Sequence, residues 1–463
     1  MGDRLAWMKP VLTPHRVGGL NKFGNLHTPS HQSDIDGVAI APLLEQHGSP
    51  LFIVSEKTLR ENLRRLKRAF ATRWPRVRHG WSYKTNYLGA VCNALHQEGS
   101  WAEVVSEFEY RKARALGVPG SRIIFNGPWK PDGVLQQAVE EGATIHIDHL
   151  DELYAIENLG RKLGRENVPV GIRINFDTGH TEAWSRFGFN LESDAARDAV
   201  QRITASRWLR LTGLHSHIGT FVLDVRAYAA QAKIMAGFMD EIERETGCTI
   251  ETLDIGGGFA SRNALQGVYL PPEQMVPSFE QYAEAITDAL LEATRGRVAS
   301  GKALPVLVLE TGRAVVDDAE ILVTSVVGNK RLPDGRRAAI LDAGVNLLFT
   351  AYWYNHQVKP LRPLEGIAEE TVLYGPLCMN IDVVRASVML PPLNVGDALA
   401  IRPAGAYNNT QWQQFIQYRP AIVMVTSEGR VELIRAAEQL ETINGLERVP
   451  ASISQPYPQG LPE

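Results

Sequence analysis

Cysteine is scarce. Cys92, Cys248 and Cys378 are the only three in 463 residues, an odd number spaced too widely for a disulfide framework, so they read as reduced thiols. No apolar run is long enough to cross a membrane, and residues 1–10 carry charge where a signal peptide needs a continuous apolar stretch. Basic residues are not in excess either: 48 Lys+Arg against 52 Asp+Glu leave a formal net charge of -4, which offers no footprint for a phosphate backbone. Walker loop, HExxH, CxxC and GxGxxG patterns are missing, so no metal or nucleotide site is expected. These absences predict a cytoplasmic protein with neither a nucleic-acid nor a membrane partner.

What is present is alternation. From Arg78 onward, short β-rich runs at 79–84, 102–106, 122–126, 144–148, 170–175, 211–217, 252–255 and 305–310 are separated by amphipathic helical stretches. Several of these stretches open on Asp, Ser or Pro and close on Gly. Eight such units predict an α/β protein built on a (β/α)8 TIM-type barrel, with a doubly wound open sheet as the alternative. After Arg313 the pattern turns to strands with hairpin signals at Asp334-Gly335 and Glu428-Gly429. The expected division is a barrel over 49–313, a C-terminal all-β domain over 314–448, an N-terminal extension over 1–48 joining that β domain, and a disordered tail over 449–463.

Polar and glycine residues recur at the C-terminal ends of the predicted strands, where barrel active sites are built. Lys84 ends the first strand, Asn126 the third, Asp148 the fourth and His217 the sixth. Gly256, Gly257 and Gly258 follow the seventh, and Glu310 through Gly312 to Arg313 closes the eighth. Backbone amides in a triple-glycine turn can approach an anion closely, and Arg313 adds a permanent charge, so a ligand phosphate is the natural occupant. A lysine desolvated at the end of an apolar strand has a lowered pKa and can attack a carbonyl. Taken singly, each has an ordinary reading: a surface lysine, a core histidine, half an ion pair, a loop.

Together the motifs SYKTN, HSHIGT, DIGGGF, ETGR, GPLCMNID and GAY, in that order, resemble the fold-type III pyridoxal-phosphate decarboxylases. This is the family of diaminopimelate, ornithine and arginine decarboxylases, with an alanine racemase-like barrel. The resemblance spans about Ser49 to Val425. It implies that Lys84 binds pyridoxal 5'-phosphate as a Schiff base, that His217 lies against the ring, and that Glu310 pairs with the ring nitrogen. Thr220, Gly257, Gly258, Gly312, Arg313 and Tyr407 would hold the phosphate. Cys378 would protonate the carbanionic carbon from the other subunit of a homodimer. Glu109, Lys130 and Arg186 also fall near family positions, but solvated charges at helix starts explain the first two as well.

The chain departs from the family where substrate is chosen. Met379 stands where relatives carry a carboxylate for the distal ammonium, and no arginine falls near Thr350 to meet a distal carboxylate. In their place is an aromatic and amide set that includes Tyr354 and Asn380. The expected substrate is therefore an amino acid with a bulky or conjugated side chain, of siderophore or specialised-metabolite type, rather than free diaminopimelate. Diaminopimelate or another diamino acid as substrate, racemisation on the same fold, and a catalytically silent regulatory homologue are the alternatives.

Overall fold

The computed structural model describes residues 31–268 and 270–454. The expected tail from 455 onward and the first thirty residues lie outside this range. All eight predicted strands form, as Val77–Ser82, Trp101–Val104, Ile123–Phe125, Thr144–Ile147, Val168–Asn175, Leu209–His215, Thr252–Asp254 and Val306–Leu309. They pair in parallel in chain order, and the eighth returns to pair with the first. This closure selects the barrel over the open sheet.

The crossover helices end where their sequences say they should. Asp132–Glu141 and Leu150–Leu163 stop at Gly142 and Gly164, both left-handed, and Phe279–Ala293 starts on a Ser278/Gln281 capping box. The helix Glu56–Ala71 precedes the first strand, yet it packs against the segments that follow the last two. Asn62 Nδ2 donates to Val315 O at 3.0 Å, and Phe70 stacks on Phe259 at 6.1 Å.

The C-terminal region is β-rich. Glu320–Arg331 and Arg337–Leu341 form the hairpin predicted at Asp334-Gly335, and Ile422–Val425 with Val431–Arg435 form the one at Glu428-Gly429. Leu51–Ser55, inside the range expected for the barrel, pairs antiparallel with Glu320–Arg331 and parallel with Ile422–Val425. Its five residues are all buried: Leu51 and Ile53 pack with Ile40, Leu43, Ile321, Val323 and Val423, whereas Phe52 and Val54 face the barrel core. Each large aliphatic side chain removed from water in this way contributes about 1.5–3 kcal/mol. Residues 35–43 of the N-terminal extension thus sit on the β sheet. Among the described residues no helix is long and apolar enough to cross a membrane.

Candidate active site

Inward-facing positions at the C-terminal ends of the strands carry Ser82, Glu103, Asn126, His146, Arg173, His215, Asp254 and Glu310. They build a buried polar layer beneath a cavity of about 620 Å³. The cavity is lined by Lys84, Glu103, Asn126, Arg173, His217, Thr220, Gly257, Gly258, Glu310, Gly312, Arg313, Thr350, Tyr354 and Tyr407 together with aromatic groups. Every cofactor-side residue singled out in the sequence therefore lines one pocket, and so do Thr350 and Tyr354.

Lys84 Nζ donates to Glu103 Oε2 at 2.7 Å, the same oxygen that accepts from Ser82 Oγ at 2.6 Å. Burial works to lower the lysine pKa, but the carboxylate of Glu103, aided by Tyr407 and Glu310, outweighs it and holds the pKa above the ordinary value. The lowered pKa expected from desolvation is thus reversed, because a carboxylate from the neighbouring strand pairs with the amine.

Asn126 Nδ2 bridges Glu103 Oε1 at 3.1 Å and Glu310 Oε1 at 2.6 Å, while its Oδ1 meets His146 Nδ1 at 2.8 Å. His146 stacks on His215 with centroids 4.9 Å apart, and His215 Nε2 lies 3.5 Å from Glu310 Oε2. Burial pushes both imidazoles well below their usual pKa, so they stand as neutral rings. Burial, then the nearby Glu310, also raises the Asp254 carboxyl well above its usual range.

Another part of the lining is suited to an anion. Arg313 is enclosed by Tyr407 at 4.8 Å, Tyr354 at 5.0 Å and Phe221 at 5.8 Å, and its Nε and Nη1 are buried without a hydrogen-bond partner. A Cβ on Gly257 would meet Glu310 O at 2.5 Å, and Gly258 sits at φ +94, so this turn tolerates only glycine. Gly257 N donates to His217 Nδ1 at 3.1 Å, and the His217 ring lies edge-on to Trp184. Tyr407 adopts φ +67, a conformation costing a non-glycine residue roughly 1–3 kcal/mol, and its N–H donates to Thr85 O at 2.8 Å. A carbonyl-bearing phosphate ester fits this donor set: an amine, unpaired guanidinium nitrogens with a glycine turn, and a buried carboxylate lining the same cavity.

Cys378, Met379 and Asn380 do not line the cavity. Cys378 and Asn380 are exposed and Met379 is half-buried. The hydroxyl of Thr350 is already engaged, with His356 Nε2 and Asn408 Oδ1 each at 2.9 Å. Glu109 and Lys130 are not solvated: Glu109 accepts from Val105 N at 2.8 Å, with its pKa pushed to about 7 by burial and by Glu103. Lys130 is paired with Glu152. Arg186 is exposed. Sequence reasoning missed Glu103, Arg173, His146, His215 and Asp254. The signal was an ionisable residue inside each apolar strand run, where alternation points it into the barrel.

Residues 56–317 match the family described as "Pyridoxal-dependent decarboxylase, pyridoxal binding domain". The chain is 31% identical to the diaminopimelate decarboxylase of Methanothermobacter thermautotrophicus over 90% of its own length and 96% of that protein. It is 27% identical to the diaminopimelate decarboxylase of Bacillus subtilis over 93% and 96%. The crystal structure of the Methanocaldococcus jannaschii diaminopimelate decarboxylase superposes with a TM-score of 0.82, at 26% identity, over 92% of this chain and 98% of that one. The cofactor is pyridoxal phosphate, and the chain belongs to the pyridoxal-dependent decarboxylases, carboxy-lyases that act on amino acids.

Proposed function

We propose that this enzyme removes the α-carboxylate of an amino acid using Lys84, His217, Glu310 and Cys378 as its catalytic groups. The observation that carries this reading is the convergence of Lys84, Glu310, the Gly257-Gly258 turn, Arg313 and Tyr407 on one cavity. Pyridoxal phosphate, when bound, supplies the electron sink for the pair left by the departing carboxylate. Lys84 would hold the cofactor through its carbonyl carbon, and His217 would support the ring. Glu310, braced by Asn126, would keep a proton at the ring nitrogen. Thr220, Gly257, Gly258, Gly312, Arg313 and Tyr407 bind the phosphate.

When the bond from the α-carbon to the carboxylate breaks, carbon dioxide leaves. The thiol of Cys378 then gives its proton to that α-carbon and is reprotonated from solvent. Cys378 is exposed and outside the cavity of its own chain, which suits a role in the site of a second copy in a homodimer. The three free thiols suit a reducing compartment, and we place the enzyme in the cytosol.

Two substrates compete for the site. The relatives named above favour diaminopimelate or another diamino acid. The lining favours a bulky or conjugated side chain, as in a siderophore or specialised-metabolite precursor. The carboxylates on the cavity wall, Glu103 and Glu310, are both hydrogen-bonded, and the wall also carries Trp184, Phe187, Phe221, Leu265 and Trp353. Carbon dioxide release from the holoenzyme, measured with diaminopimelate, lysine, ornithine and amide-conjugated diamino acids, separates them. We expect the conjugates to give the highest kcat/KM, and the Lys84→Ala variant to release nothing. A preference for free diaminopimelate would select the first reading. Loss of optical activity without carbon dioxide would contradict decarboxylation altogether.

A further inference from the structure

Glu320 opens the strand Glu320–Arg331 behind the cavity and is fully buried. Its Oε1 accepts from Asn409 Nδ2 at 2.5 Å and its Oε2 from Asn86 Nδ2 at 3.0 Å. Asn86 lies two residues past Lys84, and Asn409 two past Tyr407. The same two segments are tied by Tyr407 N to Thr85 O at 2.8 Å, by Thr410 Oγ1 to Lys84 O at 2.8 Å, and by Asn86 Nδ2 to Gly405 O at 3.1 Å. Glu320 therefore sits under the seam that joins the lysine turn to the tyrosine turn.

An ionised carboxylate there would be poorly placed. Its hydrogen-bond partners are neutral amides, and the titratable group acting on it is another buried carboxyl, Asp317, which is itself held by Ser261 Oγ and Ala406 N. Meanwhile Asn409 Oδ1 is buried with no donor. A proton on Glu320 resolves both problems. The acid O–H donates to Asn409 Oδ1 while the other oxygen keeps the Asn409 N–H, a two-bond acid-amide pair that leaves no orphan. Burial raises the carboxyl to about 8, with Asp317 pushing the same way against the two amide bonds.

We infer that Glu320 is held as a neutral acid paired with Asn409, and that it is a positioning residue setting Lys84 and Tyr407 in register for the cofactor. The inference rests on those two residues holding the cofactor. The test is the apparent cofactor dissociation constant, read from the visible absorption of wild-type, Glu320→Gln, Glu320→Ala and Lys84→Ala proteins between pH 6 and pH 9.5. The sign follows from the raised pKa: wild-type affinity holds below pH 8 and falls as the acid ionises above it.

A glutamine reproduces both bonds to Asn409 and has no proton to lose, but its NH2 replaces the oxygen that accepted from Asn86 Nδ2. Glu320→Gln is therefore expected to lack the alkaline fall and, at pH 7, to bind between wild type and Glu320→Ala, which weakens binding tenfold or more at every pH. A Gln variant that binds no better than Glu320→Ala at pH 7, or that keeps the wild-type alkaline limb, overturns the inference. Lys84→Ala serves as the separate control: an unchanged spectrum there would remove the reading of Lys84 while saying nothing against the acid at Glu320.

Discussion

With its Nζ 2.7 Å from Glu103 Oε2, Lys84 carries a proton that it must lose before it can attack a carbonyl carbon. Burial alone would loosen that proton, and Glu103 tightens it. Replacing the carboxylate by an amide removes the largest charge opposing burial, so the lysine pKa falls and the free-amine fraction near neutrality rises. We expect Glu103→Gln to take up pyridoxal phosphate faster than wild type at pH 7, with its rate-pH profile displaced to lower pH, as followed by stopped-flow absorbance. A profile coincident with wild type would contradict the role given to Glu103. Lys84 was legible in the sequence because it closes a strand within SYKTN. Its protonation was not legible, since Glu103 belongs to the next strand and only the parallel register of the two strands, Ser82 beside Glu103, brings them together.

Strand identity was legible throughout the barrel because β-branched runs bounded by glycine and capping residues leave little choice of period. The pairing of Leu51–Ser55 with Ile422–Val425 was not, because a contact across most of the chain leaves no local pattern. The 375–382 loop shows the same division. Its GPLCMNID motif is evident, whereas its shape depends on Asp382, whose carboxylate accepts from Val345 N and Leu377 N, each at 2.8 Å. That clamp presents Cys378 outward. If the thiol serves a partner site, Cys378→Ala alone should lose at least about 10²-fold in turnover while binding cofactor normally. Unfolding and refolding it together with Lys84→Ala should then restore activity toward about a quarter of wild type, through hybrid dimers holding one intact site. Two inactive variants that stay inactive when hybridised would contradict the shared site.

Across the whole molecule, a parallel barrel supplies the lysine, the anion turn and the buried acid from different strands, and the β-rich region supplies Tyr407 and Thr350 to the same rim. Two buried or half-buried lysines lie near that rim, but their surroundings differ. Lys130 is locked by Glu152 and by the carbonyls of Gly127 and His146, whereas Lys84 opens into the cavity that Arg313 also lines. The most direct measurement is borohydride reduction of the cofactor-loaded protein followed by peptide mapping. The cofactor-derived mass should appear on the peptide containing Lys84, in amounts close to one per chain. Its appearance on a Lys130 peptide, or on none, would contradict the assignment on which the chemistry depends.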